Sequence, residues 1–149
     1  MKSVLVINGP NLNLLGMREK DIYGVERLED IEKKIAGEAE LYNIKVDFFQ
    51  SNHEGCIIDR IHEAKGKYDA IIINPGAFTH YSIAIRDAIK AVEIPAIEVH
   101  ISNVYNREEF RSKSVIAPVC IGQISGLGSI GYLLALKAID MLSKQDGTI

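Results

Sequence analysis

Glu98-Val99-His100 closes the apolar run PAIEVH. Residues two apart share one face of a β-strand, so the Glu98 carboxylate can hold the His100 imidazole in one tautomer. That arrangement suits a general acid or base; the ordinary alternative is a satisfied histidine at a strand end. Arg18 and Tyr23 stand in the segment NGPNLNLLGMREKDIYG, residues 8–24. A guanidinium beside a phenol favours the phenolate, a strong base, although a surface cation–π contact is the commoner outcome of such a pair. Arg107 and Arg111 are four apart in REEFRSK, a spacing that puts both on one helix face. Two fixed guanidinium groups suit a carboxylate or phosphate ligand, unless Glu108 and Glu109 pair with them.

Other chemistry is disfavoured. His53, His62, His80 and His100 show no HxxxH spacing, and Cys56 and Cys120 are not spaced as ligands, so no metal site is expected. The two cysteines sit in apolar stretches and are expected as reduced core residues of a cytoplasmic protein. GLGSIG (126–131) fits a dinucleotide fingerprint, but it stands near the end of the chain, with no later strand to carry the acidic residue such a site requires. Its glycines are expected to make a tight turn or a close packing contact. The segment after the first strand carries Leu12, Leu14 and Leu15 where a flavin phosphate loop would be rich in Ser, Thr and Gly.

The elements that must position these residues follow from periodicity. Apolar runs of strand length alternate with helical patterns: strands at 3–7, 44–50, 69–74, 95–100 and 114–122, and helices at 28–41, 54–65, 81–92 and 131–142. Ser51 or Asn52 is expected to cap the second of these helices. REEFRSK is expected as a short charged helix, and Pro118 marks the fifth strand as an edge. Near-continuously apolar strands alternating with helices predict a parallel sheet covered on both faces. The expected architecture is α/β, a flavodoxin-like three-layer fold whose five-stranded parallel sheet has strand order 2-1-3-4-5, in one domain over residues 1–149. Ligands bind such sheets beyond the carboxyl ends of the strands, where strand order reverses. That point gathers the loops at 8–24, 74–80 and 100–107, which hold most of the unusual polar residues.

The chain has 149 residues and a net charge of −3, with no basic run. Nucleic acid and anionic membranes are therefore poor partners. MKSVLVI is too short an apolar run for a signal peptide, and no stretch approaches transmembrane length.

Five motifs, NGPNLNLLG-R---YG, QSNHEG, NPGA-TH-S-A-RDA, EVHISN and REEFR, occur in one order along nearly the whole chain. Together they resemble the type II 3-dehydroquinate dehydratases. The resemblance implies cofactor-free trans-elimination of water from 3-dehydroquinate to 3-dehydroshikimate through an enolate, in the shikimate pathway of aromatic amino acid biosynthesis or in quinate use. It also implies trimers, which commonly group into homododecamers. Carried over by position, Tyr23 resembles the base and Arg18 the residue that keeps it ionised. Asn11 resembles the holder of a water on the enolate oxygen, and His100 the acid, oriented by Glu98. Asn74, His80 and Arg111 resemble contacts to substrate hydroxyls, and the backbone at Ile101 and Ser102 the carboxylate site. Arg107 resembles a second lid arginine, and Asp87 a residue that reaches a neighbouring subunit's site. Lys20 stands where the family often has Pro.

An enolate route needs a base, an enolate stabiliser and a separate acid, with no metal. The competing reading is a small-carboxylate binding module using Arg107 and Arg111; it leaves Tyr23–Arg18 and Glu98–His100 without a purpose. On the enzyme reading, residues 8–24 form a lid that carries its own base, its leucines covering the ligand and excluding water.

Overall fold

The computed structural model describes residues 1–145. Five parallel strands form one sheet in the order β2-β1-β3-β4-β5: β1 (Lys2–Asn8), β2 (Ile44–Gln50), β3 (Ala70–Asn74), β4 (Ala96–His100) and β5 (Gly122–Ser125). A single-turn helix α1 (Lys20–Tyr23) interrupts the long loop after β1. The others are α2 (Leu28–Leu41), α3 (Glu54–Ala64), α4 (Ile83–Val92) and α5 (Ile130–Gln145). The expected strand order is the one observed.

The two-residue period of each strand divides the core into two layers. Val4, Val6, Ile72, Ile97 and Val99 point to the face covered by α2 and α5, where Ile31, Ile35, Leu136 and Ile139 meet them. Leu5, Ile7, Ile71, Ile73 and Ala96 point to the other face, against Ile57 and Ile61 of α3 and Ile85 and Ile89 of α4. Central strands sandwiched this way must be apolar on both sides, which is why β1 and β3 read as continuous runs. Glu98 and His100 continue the alternation of Ala96, so two polar side chains occupy core positions near the end of β4.

Four expectations need correction. The fifth strand is not at 114–122: β5 begins at Gly122, and residues 114–121 are a packed loop containing a 3-10 turn at Ala117–Val119. Its Val115, Ile116 and Val119 belong to the core under α4, so burial, not pairing, explains their hydrophobicity. REEFRSK is not an α-helix but a loop with one 3-10 turn, Glu109–Ser112. Neither Ser51 nor Asn52 caps α3, whose N-cap is His53. Ser51 Oγ instead accepts from the His53 N–H at 3.0 Å, and Asn52 Oδ1 accepts from the Asn11 N–H at 3.0 Å. Cys56 is exposed, not in the core, whereas Cys120 is half-buried; burial, with the Glu98 charge nearby, pushes the Cys120 thiol up to about 12. In the GLGSIG segment, Gly126 takes φ +89° and packs on Asn103, a turn that glycine makes without strain.

Among the described residues no helix is long and apolar enough to cross a membrane.

Candidate active site

Strand order reverses between β1 and β3, and a cavity opens there at the carboxyl edge of the sheet. Asn11, Tyr23, Asn74, His80, His100, Ile101, Ser102, Arg107 and Arg111 all line it, with Leu12, Gly76, Ala77 and Val104. Nine of the twelve residues singled out from the sequence thus meet in one place. Of the other three, Glu98 lies behind His100, Arg18 sits over Tyr23, and Asp87 is exposed on α4 and lines no part of the cavity of its own chain.

Glu98 is fully buried (0% exposed) and His100 nearly so (6%). His100 Nε2 meets Glu98 Oε1 at 2.6 Å, which leaves Nδ1 as the ring nitrogen available to a ligand. Thr79 Oγ1 donates to Glu98 Oε1, and Ser114 Oγ lies 3.0 Å from both carboxylate oxygens. Burial pushes the Glu98 carboxyl up, but the His100 hydrogen bond and charge, with the two hydroxyls, outweigh it. The net position is below the ordinary carboxylate value.

That direction predicts an acid-unfolding behaviour. A group whose pKa is depressed by folding stabilises the fold above its unfolded value, and the contribution is lost as pH falls through the depressed folded value. Glu98→Gln should therefore be less stable than wild type at neutral pH and show a shallower loss of stability on acidification. Denaturant unfolding measured across the acid range checks this; parallel slopes would show that Glu98 does not supply the linkage.

His80 donates from Nδ1 to the carbonyl of Lys113 at 2.8 Å. A carbonyl only accepts, so Nδ1 carries the hydrogen of this contact. Asn74 is fixed at both ends of its amide: Nδ2 donates to Tyr132 Oη at 2.9 Å and Oδ1 accepts from the Gly76 N–H at 3.2 Å. Tyr132, buried in α5, donates in turn to Asn8 Oδ1 at 2.6 Å. This link from the last helix to the ends of β1 and β3 was not identified in the sequence, where Tyr132 is one more large residue in an apolar helix. Thr79 and Ser114 were missed for a related reason, since only the fold brings them to Glu98.

The segment after β1 forms a compact loop. Gly16 has φ +80°, and a Cβ there would lie 2.7 Å from the carbonyl oxygen of Val25, so the two ends of the loop touch through glycine. Beyond it, Glu26 accepts from Lys34 Nζ at 2.5 Å and Ser129 Oγ at 2.8 Å. Leu12 and Leu15 do not drape over the cavity as expected: both are buried in the core against α2 and α5, although Leu12 also contributes to the cavity wall. They anchor the loop, and Leu14 is exposed. The segment's contribution to the cavity is Asn11, Leu12 and Tyr23.

Arg107 Nη1 donates to Tyr23 Oη at 2.7 Å and lies 3.3 Å from Ser102 Oγ. Arg18 pairs with Glu19 and stacks over the Tyr23 ring, Cζ to centroid 4.9 Å. The phenol is thus flanked by two guanidinium groups, with Arg107 on its oxygen and Arg18 on its face. Arg111 Nε is held by Glu108 at 2.5 Å, so one arginine of the pair is partnered by a glutamate while the other turns to the tyrosine. They reach one cavity from a loop, not from a shared helix face. Among the described residues no three His, Cys, Asp or Glu side chains cluster as metal ligands.

The arrangement presents a phenol between cations, an imidazole backed by a buried carboxylate, and amide and guanidinium donors between them. It can take a proton at one point of a polyhydroxylated anion and give one at another.

The family model described as "Dehydroquinase class II" matches residues 2–140. The 3-dehydroquinate dehydratase of Caldicellulosiruptor bescii is 67% identical over 140 residues, covering 93% of this chain and 97% of its own. That of Bacillus cereus is 60% identical over 139 residues, covering 93% and 95%. The crystal structure of the type II dehydroquinase from Butyrivibrio crossotus superposes with a TM-score of 0.90 at 57% identity, over 96% of this chain and 98% of that one. The type II dehydroquinase from Propionibacterium acnes gives 0.91 at 41% identity, over 95% and 97%.

Proposed function

Because the chain belongs to the class II dehydroquinase family, its activity is the dehydration of 3-dehydroquinate, and we propose that the cavity performs it by proton transfer between its own side chains. Tyr23, as phenolate, takes the proton from the carbon beside the ketone. The electron pair of that C–H bond moves to the ketone oxygen, giving an enolate, which Asn11 stabilises through a water. The enolate then re-forms the ketone, the ring C=C forms, and the C–O bond to the departing hydroxyl breaks. That hydroxyl takes a proton from His100 Nδ1 and leaves as water. Tyr23 has gained one proton and His100 has lost one, so returning one through solvent resets the site. Base and acid come from different elements, Tyr23 from the loop after β1 and His100 from the end of β4, so each can serve its own face of the substrate ring. The observation that carries the reading is Arg107 on the Tyr23 oxygen: a cationic donor there favours negative charge on that oxygen.

Asn74, His80 and Arg111 hold the substrate hydroxyls, and Ile101 and Ser102 its carboxylate. With no metal or cofactor in the scheme, turnover of 3-dehydroquinate, followed by the ultraviolet absorbance of the enone product, should survive chelators and borohydride. Loss to a chelator would indicate a metal; irreversible inactivation by borohydride with substrate present would indicate a Schiff base.

We further propose that residues 1–149 act as one cytoplasmic catalytic domain, assembled as trimers that group into a homododecamer. By the family resemblance Asp87, exposed within α4 and outside the cavity of its own chain, serves a neighbouring subunit's site. Sedimentation should give a multiple of three chains; a fully active monomer would overturn the proposal.

A further inference from the structure

We infer that Thr79 and Ser114 are positioning residues for proton delivery: their hydroxyls clamp the Glu98 carboxylate so that His100 presents Nδ1 to the cavity. The inference rests on His100 being the proton donor. Neither hydroxyl residue lines the cavity, so both act through Glu98.

Ser114 acts as a donor in this cluster. Ser114 Oγ accepts from the backbone N–H groups of Ile116 at 3.1 Å and Ala117 at 2.9 Å. Those bonds occupy both lone pairs of the hydroxyl, so its single proton must be donated; the acceptors in reach are the two Glu98 oxygens and Thr79 Oγ1, all at 3.0 Å, and the carboxylate, as the charged acceptor, is the stronger partner. Thr79 is 1% exposed and directs its hydroxyl to Oε1, the oxygen that also meets His100. Glu98 is therefore held from three directions and cannot rotate about its terminal torsion without losing a donor. An ionised carboxylate only accepts, so a shell made of donors selects the charged form. That form can support a cationic imidazole in a buried site, where an uncompensated charge is costly.

The backbone builds this clamp. Val115 N–H donates to the Thr79 carbonyl at 2.8 Å, and His80, the residue after Thr79, is joined through Nδ1 to the carbonyl of Lys113, the residue before Ser114. Two loops distant in sequence are cross-braced so that one pair of residues sets His80 in the cavity and the adjoining pair sets Glu98 beneath it.

The test is Thr79→Val, which keeps the side-chain shape and removes the donor, read beside Ser114→Ala. Outer-shell partners that orient metal-bound histidines are worth about 10- to 100-fold; a loss of similar size is expected here, falling on kcat with KM little changed. Thr79→Ser should restore most of the rate. In a Glu98→Gln background, Thr79→Val should cost little more, because its partner is already altered. Unchanged kcat in both hydroxyl variants, a loss confined to KM, or a full additive loss in the Glu98→Gln background would overturn the inference. If Thr79→Val does not fold, Ser114→Ala gives the same readings. His100→Ala measured alongside separates the two levels: normal turnover there would remove the proton-donor reading itself, whereas a slow His100→Ala with normal hydroxyl variants would remove only the clamp.

Discussion

Tyr23→Phe should leave the fold and the cavity in place and reduce turnover by about 100- to 10,000-fold, the usual weight of a positioned acid or base. The change removes one oxygen. The ring stays half-buried against the core and under Arg18, so packing has little reason to change. The oxygen is the atom that Arg107 engages at 2.7 Å, and without it no group at that position can accept the substrate proton. KM should change little, because the interaction lost belongs to the transition state. Steady-state kinetics on the enone absorbance, with circular dichroism as a check on folding, would measure both. A Phe variant with near-normal kcat would move the base elsewhere.

His100→Ala should be comparably damaging to kcat, again by about 100- to 10,000-fold, for a different reason. The enolate still forms, but the hydroxyl leaves as hydroxide. This variant also carries a stability cost that Tyr23→Phe does not. Glu98 is wholly buried and loses one of its donors, keeping only Thr79 and Ser114. A buried polar group stripped of a partner costs about 1–3 kcal/mol, and more when charged, which denaturant unfolding would register. A raised KM with normal kcat would reassign His100 to binding.

The sheet was legible in the sequence because burial on both faces leaves a strand no choice of composition: AIIIN and SVLVI could be little else. The edge was not. β5 (GQIS) pairs with β4 alone, and only Ile124 of its four residues packs on the core, so it carries little apolar signature, while the apolar SVIAPVCI before it is loop packed under α4. Hydrophobicity located the burial and misplaced the strand. REEFRSK failed for a comparable reason: Arg107, Glu108 and Arg111 take their places from contacts to Tyr23 and to each other, not from helical spacing.

In the site, Glu98 and His100 were legible from a local rule, the shared strand face. The tyrosine and its cation were legible as a pair, but Arg107, which reaches the phenol oxygen in the structure, lies 84 residues away. The Thr79–Ser114–Glu98 contacts and the Asn8–Tyr132–Asn74 link also depend on long-range topology. Single Thr, Ser and Tyr residues give no spacing to read until the fold has joined them.

The central claim is that Tyr23 and His100 perform separate proton transfers with an enolate between them. Exchange of the hydrogen beside the ketone with deuterated solvent, followed by mass spectrometry on recovered substrate, tests it most directly. His100→Ala forms the enolate and cannot release the hydroxyl efficiently, so it should return substrate carrying deuterium faster than it makes product. Tyr23→Phe should neither exchange nor dehydrate at an appreciable rate. Exchange persisting in Tyr23→Phe and absent in His100→Ala would reverse the two roles and contradict the account.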